Sequence, residues 1–174
     1  MYSKITLFSL IFGLLLAGCA EQSETENDVF IYQNTLDINY GTDICSYSNE
    51  VIEKVRYGGK MVMEDGTVHK FMSVECTAGF YLGLDDRSSV QTLQIVDFAH
   101  GQQYLPADEL VYLKSPLQPS PNGLYLTAID KSNEKMKTYI YDAYPGTFYN
   151  WEEVLELVND EWNLSRNLSH TTMH

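Results

Sequence analysis

Residues 57–71, YGGKMVMEDGTVHKF, carry the pattern that decides the fold. Tyr57, Gly59, Met61 and Met63 alternate onto one face, the period-two spacing of a strand. Glu64-Asp65-Gly66-Thr67 breaks the alternation with an Asp-Gly pair at its centre, a strong hairpin signal. Val68 to Phe71 reads as the return strand. A short hairpin can only join antiparallel strands, so the sheet built on this one is antiparallel. Ser73 then stands where a helix N-cap is wanted, with Glu75 in the first turn of a helix expected from Val74 to Leu84.

Working towards the C-terminus, Val90 to Phe98 is a strand, Ala99-His100-Gly101 a turn, and Gln103 through Leu113 further extended chain. Ser115 to Gly123 (SPLQPSPNG) holds three of the five prolines and reads as a rigid, irregular loop. Leu124 to Ile129 is an apolar strand. Asp130 or Ser132 can cap a helix reaching about Tyr144, with Met136, Ile140, Ala143 and Tyr144 on one face. Pro145-Gly146 stops it. After a short strand at Thr147 to Tyr149, Asn150 caps a last helix, with Glu153 at its third position and Trp151, Val154, Leu155, Val158 and Trp162 striped along it. This order gives an α+β fold with helices packed on antiparallel sheet. The order strand, turn, strand, helix in 57–84 is loosely echoed in 90–144.

Towards the N-terminus, Lys4 precedes an apolar stretch from Ile5 to Leu16. A spanning helix needs roughly 20 apolar residues, and this stretch is shorter, as in a signal segment. Leu16-Ala17-Gly18-Cys19 resembles the lipobox cut by the lipoprotein signal peptidase. The expectation is a signal peptide at 1–18, a lipid (palmitate-class acyl chains) on Cys19, and a polar tether at 19–39. It places the protein in the cell envelope, lipid-anchored on the periplasmic side. Ala20 in place of Asp favours the outer membrane. Residues 163–174 lack periodicity and are expected to form a flexible tail.

The chain carries 24 acids against 11 Lys and Arg, a net charge of −13. Losing Lys4 with the signal peptide makes the mature charge one unit more negative. Such a balance excludes nucleic acid as a partner, since phosphate binding needs a basic surface. Aromatic residues at 13% and hydrophobic residues at 44% exclude wholesale disorder.

Besides Cys19 only Cys45 and Cys76 remain. In an oxidising compartment two cysteines often pair. Alternatively, two thiols form a site for a soft cation such as Cu(I), which thiolates and thioethers select. Met61, Met63 and Met72 lie close in sequence to both cysteines. Met61 and Met63 share a strand face, where they serve either as thioether donors or as core filling. His69 on the return strand and His100 in its turn are most simply structural. No HExxH, GxSxG, phosphate loop or CxxC occurs, which points away from an enzyme and towards binding.

In this order the chain resembles the NosL family, lipoproteins that deliver copper to nitrous oxide reductase. The likeness rests on the lipobox, Asp43-Ile44-Cys45, the hairpin of 57–71, Ser73-Val74-Glu75-Cys76, Val96-Asp97-Phe98 with Gly101 and Pro106-Ala107, Ser120-Pro121-Asn122-Gly123, and Trp151 to Leu155. It spans about residues 40–158. The resemblance implies two small related lobes of antiparallel strands, each with a packed helix, at 40–88 and 89–162. It also implies copper as cargo, Cys45 and Cys76 as metal ligands, and a copper-accepting partner such as nitrous oxide reductase or an ABC-type assembly complex. The chain departs from the family where donors matter. Ser48 stands at the second cysteine of the family motif, Asn49 at its glycine, Glu50 at its methionine, and Asn122 at the methionine of the proline loop. A second expectation follows: a relative that keeps the fold as an interaction module, with Cys45 and Cys76 joined in a structural disulfide.

Overall fold

A computed structural model describes residues 37–164. Cys19 and the signal segment, and the tail beyond Leu164, lie outside the described residues. The hairpin forms as its sequence requires. Strand β1 (Gly59–Met63) pairs antiparallel with β2 (Val68–Phe71), Met61 opposite His69. Gly66 takes a left-handed φ of 83°, and its N–H donates to Met63 O at 2.9 Å. Asp65 keeps a negative φ, so the loop is the three-residue type with glycine in the left-handed position, not a two-residue Asp-Gly turn.

β3 (Val90–Val96) lies on the other side of β1, and β4 (Tyr104–Pro106) pairs with β3, giving a four-stranded sheet in the order β2-β1-β3-β4. Strands that follow residue 88 thus complete the sheet that the hairpin begins. A second antiparallel sheet, in the order β6-β5-β7, is built from β5 (Leu110–Lys114), β6 (Leu126–Asp130) and β7 (Thr147–Tyr149). The fold is α+β.

Three α-helices pack on these sheets among the described residues: α1 (Val74–Leu82), α2 (Glu134–Ala143) and α3 (Trp151–Trp162). The echo seen in the sequence takes the form of β1-β2-α1 and β5-β6-α2. α1 ends earlier than its apolar run, because Gly83 caps it. α2 is capped by Asn133, whose side chain accepts from Met136 N–H, and not by Asp130 or Ser132. α3 carries the expected capping box, with Glu153 N–H donating to Asn150 Oδ1 at 3.0 Å and Asn150 N–H donating to Glu153 Oε2 at 2.7 Å.

The second sheet is buried on both faces, which is why β5 and β6 read as continuous apolar runs. On one face Tyr112, Leu126 and Ala128 meet Val74 and Ala78 of α1 and Trp151, Val154 and Val158 of α3. On the other, Leu113 and Ile129 meet Phe98 and Ile140 of α2. A third cluster, Ile38, Cys45, Ile52, Met61, Phe71 and Cys76, lies between the first sheet, α1 and the segment before β1. Each large side chain fully buried in this way contributes about 1.5–3 kcal/mol. No helix among the described residues is long and apolar enough to cross a membrane.

Candidate functional site: a buried thiol pair

Cys45 sits in a tight loop ahead of the hairpin. An isolated bridge pairs Ile44 with Val51, Cys45 N–H donates to Glu50 O at 2.8 Å, and Asn49 turns the chain with a φ of 60°. Asparagine tolerates this left-handed conformation better than most residues. The loop is pinned to β2 by Ser46 N–H to Lys70 O at 2.8 Å and by the ion pair of Lys70 Nζ with Asp43 Oδ2 at 2.7 Å. Burial and hydrogen bonding compete at Asp43. Burial raises its pKa, while Lys70 and the Asn39 amide lower it, and the net direction is down.

Cys76 stands in the first turn of α1, where Ser73 caps the helix by accepting the Cys76 N–H at 3.2 Å. The proline loop closes over this turn. Asn122 Oδ1 lies 3.0 Å from Cys76 Sγ and accepts from Ser73 Oγ at 2.7 Å. Glu75 holds the loop from inside: its Oε1 accepts from Ser120 Oγ and, at 3.2 Å, from Leu124 N–H. Ser120 Oγ in turn accepts Tyr125 N–H at 2.9 Å. Glu75 is fully buried and its Oε2 lacks a protein partner, so burial raises its pKa despite these bonds.

Both cysteines are free thiols at 0% exposure and belong to one buried cluster. Donation from the Cys76 thiol lowers the Cys45 pKa from 9.0 to about 5; burial opposes this, and Ser48 and the Met72 amide add to it. The same hydrogen bond, together with burial, pushes Cys76 strongly upward. The two shifts run in opposite directions, Cys45 down and Cys76 up. The Cys76 thiol donates to Asn122 Oδ1 at 3.0 Å, and the same oxygen accepts from Ser73 Oγ.

Ser48 and Asn122 both face this pair. Ser48 N–H points at Cys45 Sγ at 3.5 Å, and Ser48 Oγ donates to Met72 Sδ at 3.1 Å. Two positions where the chain departs from the copper-binding motif it resembles thus lie against the two thiols. Met61 is fully buried in the same cluster and Met63 packs against it, both as apolar filling. His69 stacks on Phe80 at 4.4 Å between ring centroids. His100 Nδ1 bonds Asp97 Oδ2 at 2.5 Å in its turn. Neither histidine is hydrogen-bonded to a cysteine.

Sequence reasoning brought Cys45 and Cys76 together. It named Met72 only as a neighbour in the chain and read Glu75 as an ordinary first-turn acid. Nothing in the sequence marks Glu75 as buried, because an acid in a helix's first turn is usually a solvated one. Among the described residues, no group of three or more His, Cys, Asp or Glu side chains could hold a metal ion. The donors at the pair are two thiols, with the Met72 thioether nearby.

No family model matches the sequence, and no curated protein matches it. Among solved structures the chain is similar to the crystal structure of the copper chaperone NosL from Shewanella denitrificans, with a TM-score of 0.56 and 16% sequence identity. That likeness covers 64% of this chain and 89% of the other. At that identity it is a likeness of fold: the chain shares the architecture of a copper chaperone, and its buried thiol pair sits within that architecture.

Proposed function

We propose that this protein binds a soft monovalent cation, Cu(I) as cargo, and passes it to a partner metalloprotein. The observation that carries the reading is two free, buried thiols in one cluster of a fold similar to that of a copper chaperone. Two sulfur ligands suit Cu(I), which favours thiolate and thioether over oxygen. Cys45 is the principal ligand and Cys76 the second, each bound as thiolate with its proton released. Ser48 and Asn122 offer only oxygen and nitrogen, so the site has fewer soft donors than the motif it resembles. The proposed setting is the cell envelope. There a lipid on Cys19 keeps the domain beside its acceptor, a reading that rests on Leu16-Ala17-Gly18-Cys19 alone. A non-catalytic role is the one that the likeness in fold to a chaperone supports.

The test is an anaerobic Cu(I) titration of the reduced protein against a chromophoric chelator. One equivalent bound far more tightly than micromolar, and lost in Cys45→Ala, is expected. Micromolar or sub-stoichiometric binding that Cys45→Ala leaves unchanged overturns the reading. The closeness of the two sulfurs also supports a second reading, an interaction module stapled by a Cys45–Cys76 bridge without metal. Thiol counting on protein isolated from the envelope separates the two: fewer than one free thiol per chain favours the module.

A further inference from the structure

Both thiols are fully buried, yet a cargo site must exchange its ion with the outside. Three observations mark where. First, a groove of about 490 Å³ opens between Val51–Tyr57 on one side and Pro119–Pro121 on the other, and Met72 is the one sulfur-bearing side chain that lines it. Second, Met72 is half-buried, whereas Cys45, Cys76 and Met61 are at 0% exposure. Third, Ser48 touches two sulfurs at once, with its N–H towards Cys45 Sγ at 3.5 Å and its hydroxyl on Met72 Sδ at 3.1 Å. Ser48 thus bridges the buried Cys45 sulfur and the half-buried Met72 sulfur, and Met72 lines the groove.

We propose that Met72 is the exchange ligand of this site, the thioether through which a soft cation enters from the groove and leaves to an acceptor. The proposal rests on the copper reading above. Its physical basis is desolvation. A bare cation moving from water into an apolar interior loses several kcal/mol of solvation, and a chain of soft donors spares it that step. A Cu–S bond to Met72 forms while the bond to the outside donor breaks; then a bond to Cys45 forms while that to Met72 breaks. The oxidation state stays Cu(I) throughout, and the proton of Cys76 leaves to solvent as its sulfur joins. Met72 is neutral and holds the ion weakly, whereas the Cys45 thiolate holds it strongly, so inward movement is downhill. An incoming side chain from an acceptor reaches Met72 without disturbing the core that buries the cysteines. The Ser48 hydroxyl is the natural gate, since it occupies the Met72 lone pair until the ion displaces it.

The experiment separates rate from affinity, using the full reduced chain in nonionic detergent loaded with Cu(I). Transfer to excess bicinchoninate is followed by stopped flow, and affinity is measured by equilibrium competition. Met72→Leu conserves volume. It is expected to slow transfer at least tenfold while affinity changes less than threefold. Met61→Leu, buried in the same cluster but off the groove, leaves both unchanged. A transfer rate within threefold of the parent overturns the proposal. So does faster release with weaker binding, which makes Met72 a static ligand. A parent chain that binds no Cu(I) overturns the functional reading and this inference together. Should the variant fold poorly, the parent labelled at its methionine methyls still decides: Ag(I) must shift Met72 more than Met61 or Met63, and an unmoved Met72 signal overturns the proposal.

Discussion

The Asn122 side-chain oxygen lies 3.0 Å from the sulfur of Cys76, joining the proline loop to the first turn of α1 across 46 positions of sequence. Asn122 is the position at which the resemblance drawn from the sequence expects a methionine. Replacing Asn122 with Met therefore puts a thioether beside an existing thiol. Asn122→Met is expected to tighten Cu(I) binding at least tenfold, about 1.4 kcal/mol, measured by competition with a chromophoric chelator. Ser48→Cys, which adds a donor beside Cys45, is expected to act in the same direction.

The lowered pKa of Cys45 makes stability depend on pH. A group whose folded pKa is depressed stabilises the fold above its unfolded value and loses that contribution as pH falls through the folded value. For Cys45 the window runs from 9.0 down to about 5. The melting temperature should therefore climb across that range and the slope should flatten in Cys45→Ser. Cys76 is shifted the other way, so the trend reverses once unfolded cysteines ionise. Thiolate absorbance in the near ultraviolet, titrated against Cys45→Ser, reads the midpoint directly. A midpoint near the ordinary thiol value refutes the assignment.

Glu75 is shifted upward by burial, so its sign is opposite. Its contribution is present below the ordinary carboxyl range and fades as pH rises through the folded pKa. Glu75→Gln removes the ionisable proton but keeps an acceptor for Ser120 and Leu124. Relative to the parent, this variant should gain stability as pH rises. Glu75→Ala leaves the Leu124 amide and Ser120 unpartnered and opens a cavity under the proline loop. A loss of about 2–4 kcal/mol is expected in denaturant unfolding.

Gly79 lies where α1 crosses Tyr47 and Trp162, whose rings stack at 5.2 Å. A Cβ there would sit 2.7 Å from Trp162 Cζ3 and 2.8 Å from Tyr47 Cζ. Gly79→Ala gains helix propensity, about 1 kcal/mol, yet overpacking costs typically 1–3 kcal/mol. A net drop in melting temperature is expected, with loss of the near-ultraviolet circular dichroism of the stacked pair.

Most of the secondary structure was legible because it rests on local rules. The hairpin at 57–71, the Ser73 cap, the Asn150–Glu153 capping box and the strand Thr147–Tyr149 each follow from residues within a few positions of one another. The misjudged ends are those where two local signals compete. Gly83 ended α1 ahead of Leu84, and Asn133 outcompeted Asp130 and Ser132 as the cap of α2.

The candidate site divides in the same way. Hydrophobic periodicity and turn chemistry are short-range, so sequence alone determined an α+β chain with a hairpin and a cysteine in the first turn of a helix. It also supplied two thiols, and the resemblance pointed to Ser48 and Asn122 as the altered positions. Tertiary structure decided which sulfurs share one environment. It set Cys45 against Cys76, turned Met72 and not Met61 to the groove, and buried Glu75 beneath the proline loop. Those outcomes depend on contacts between segments 24 to 49 residues apart. Desolvation and hydrogen bonding across such distances have no signature in the local pattern of the chain.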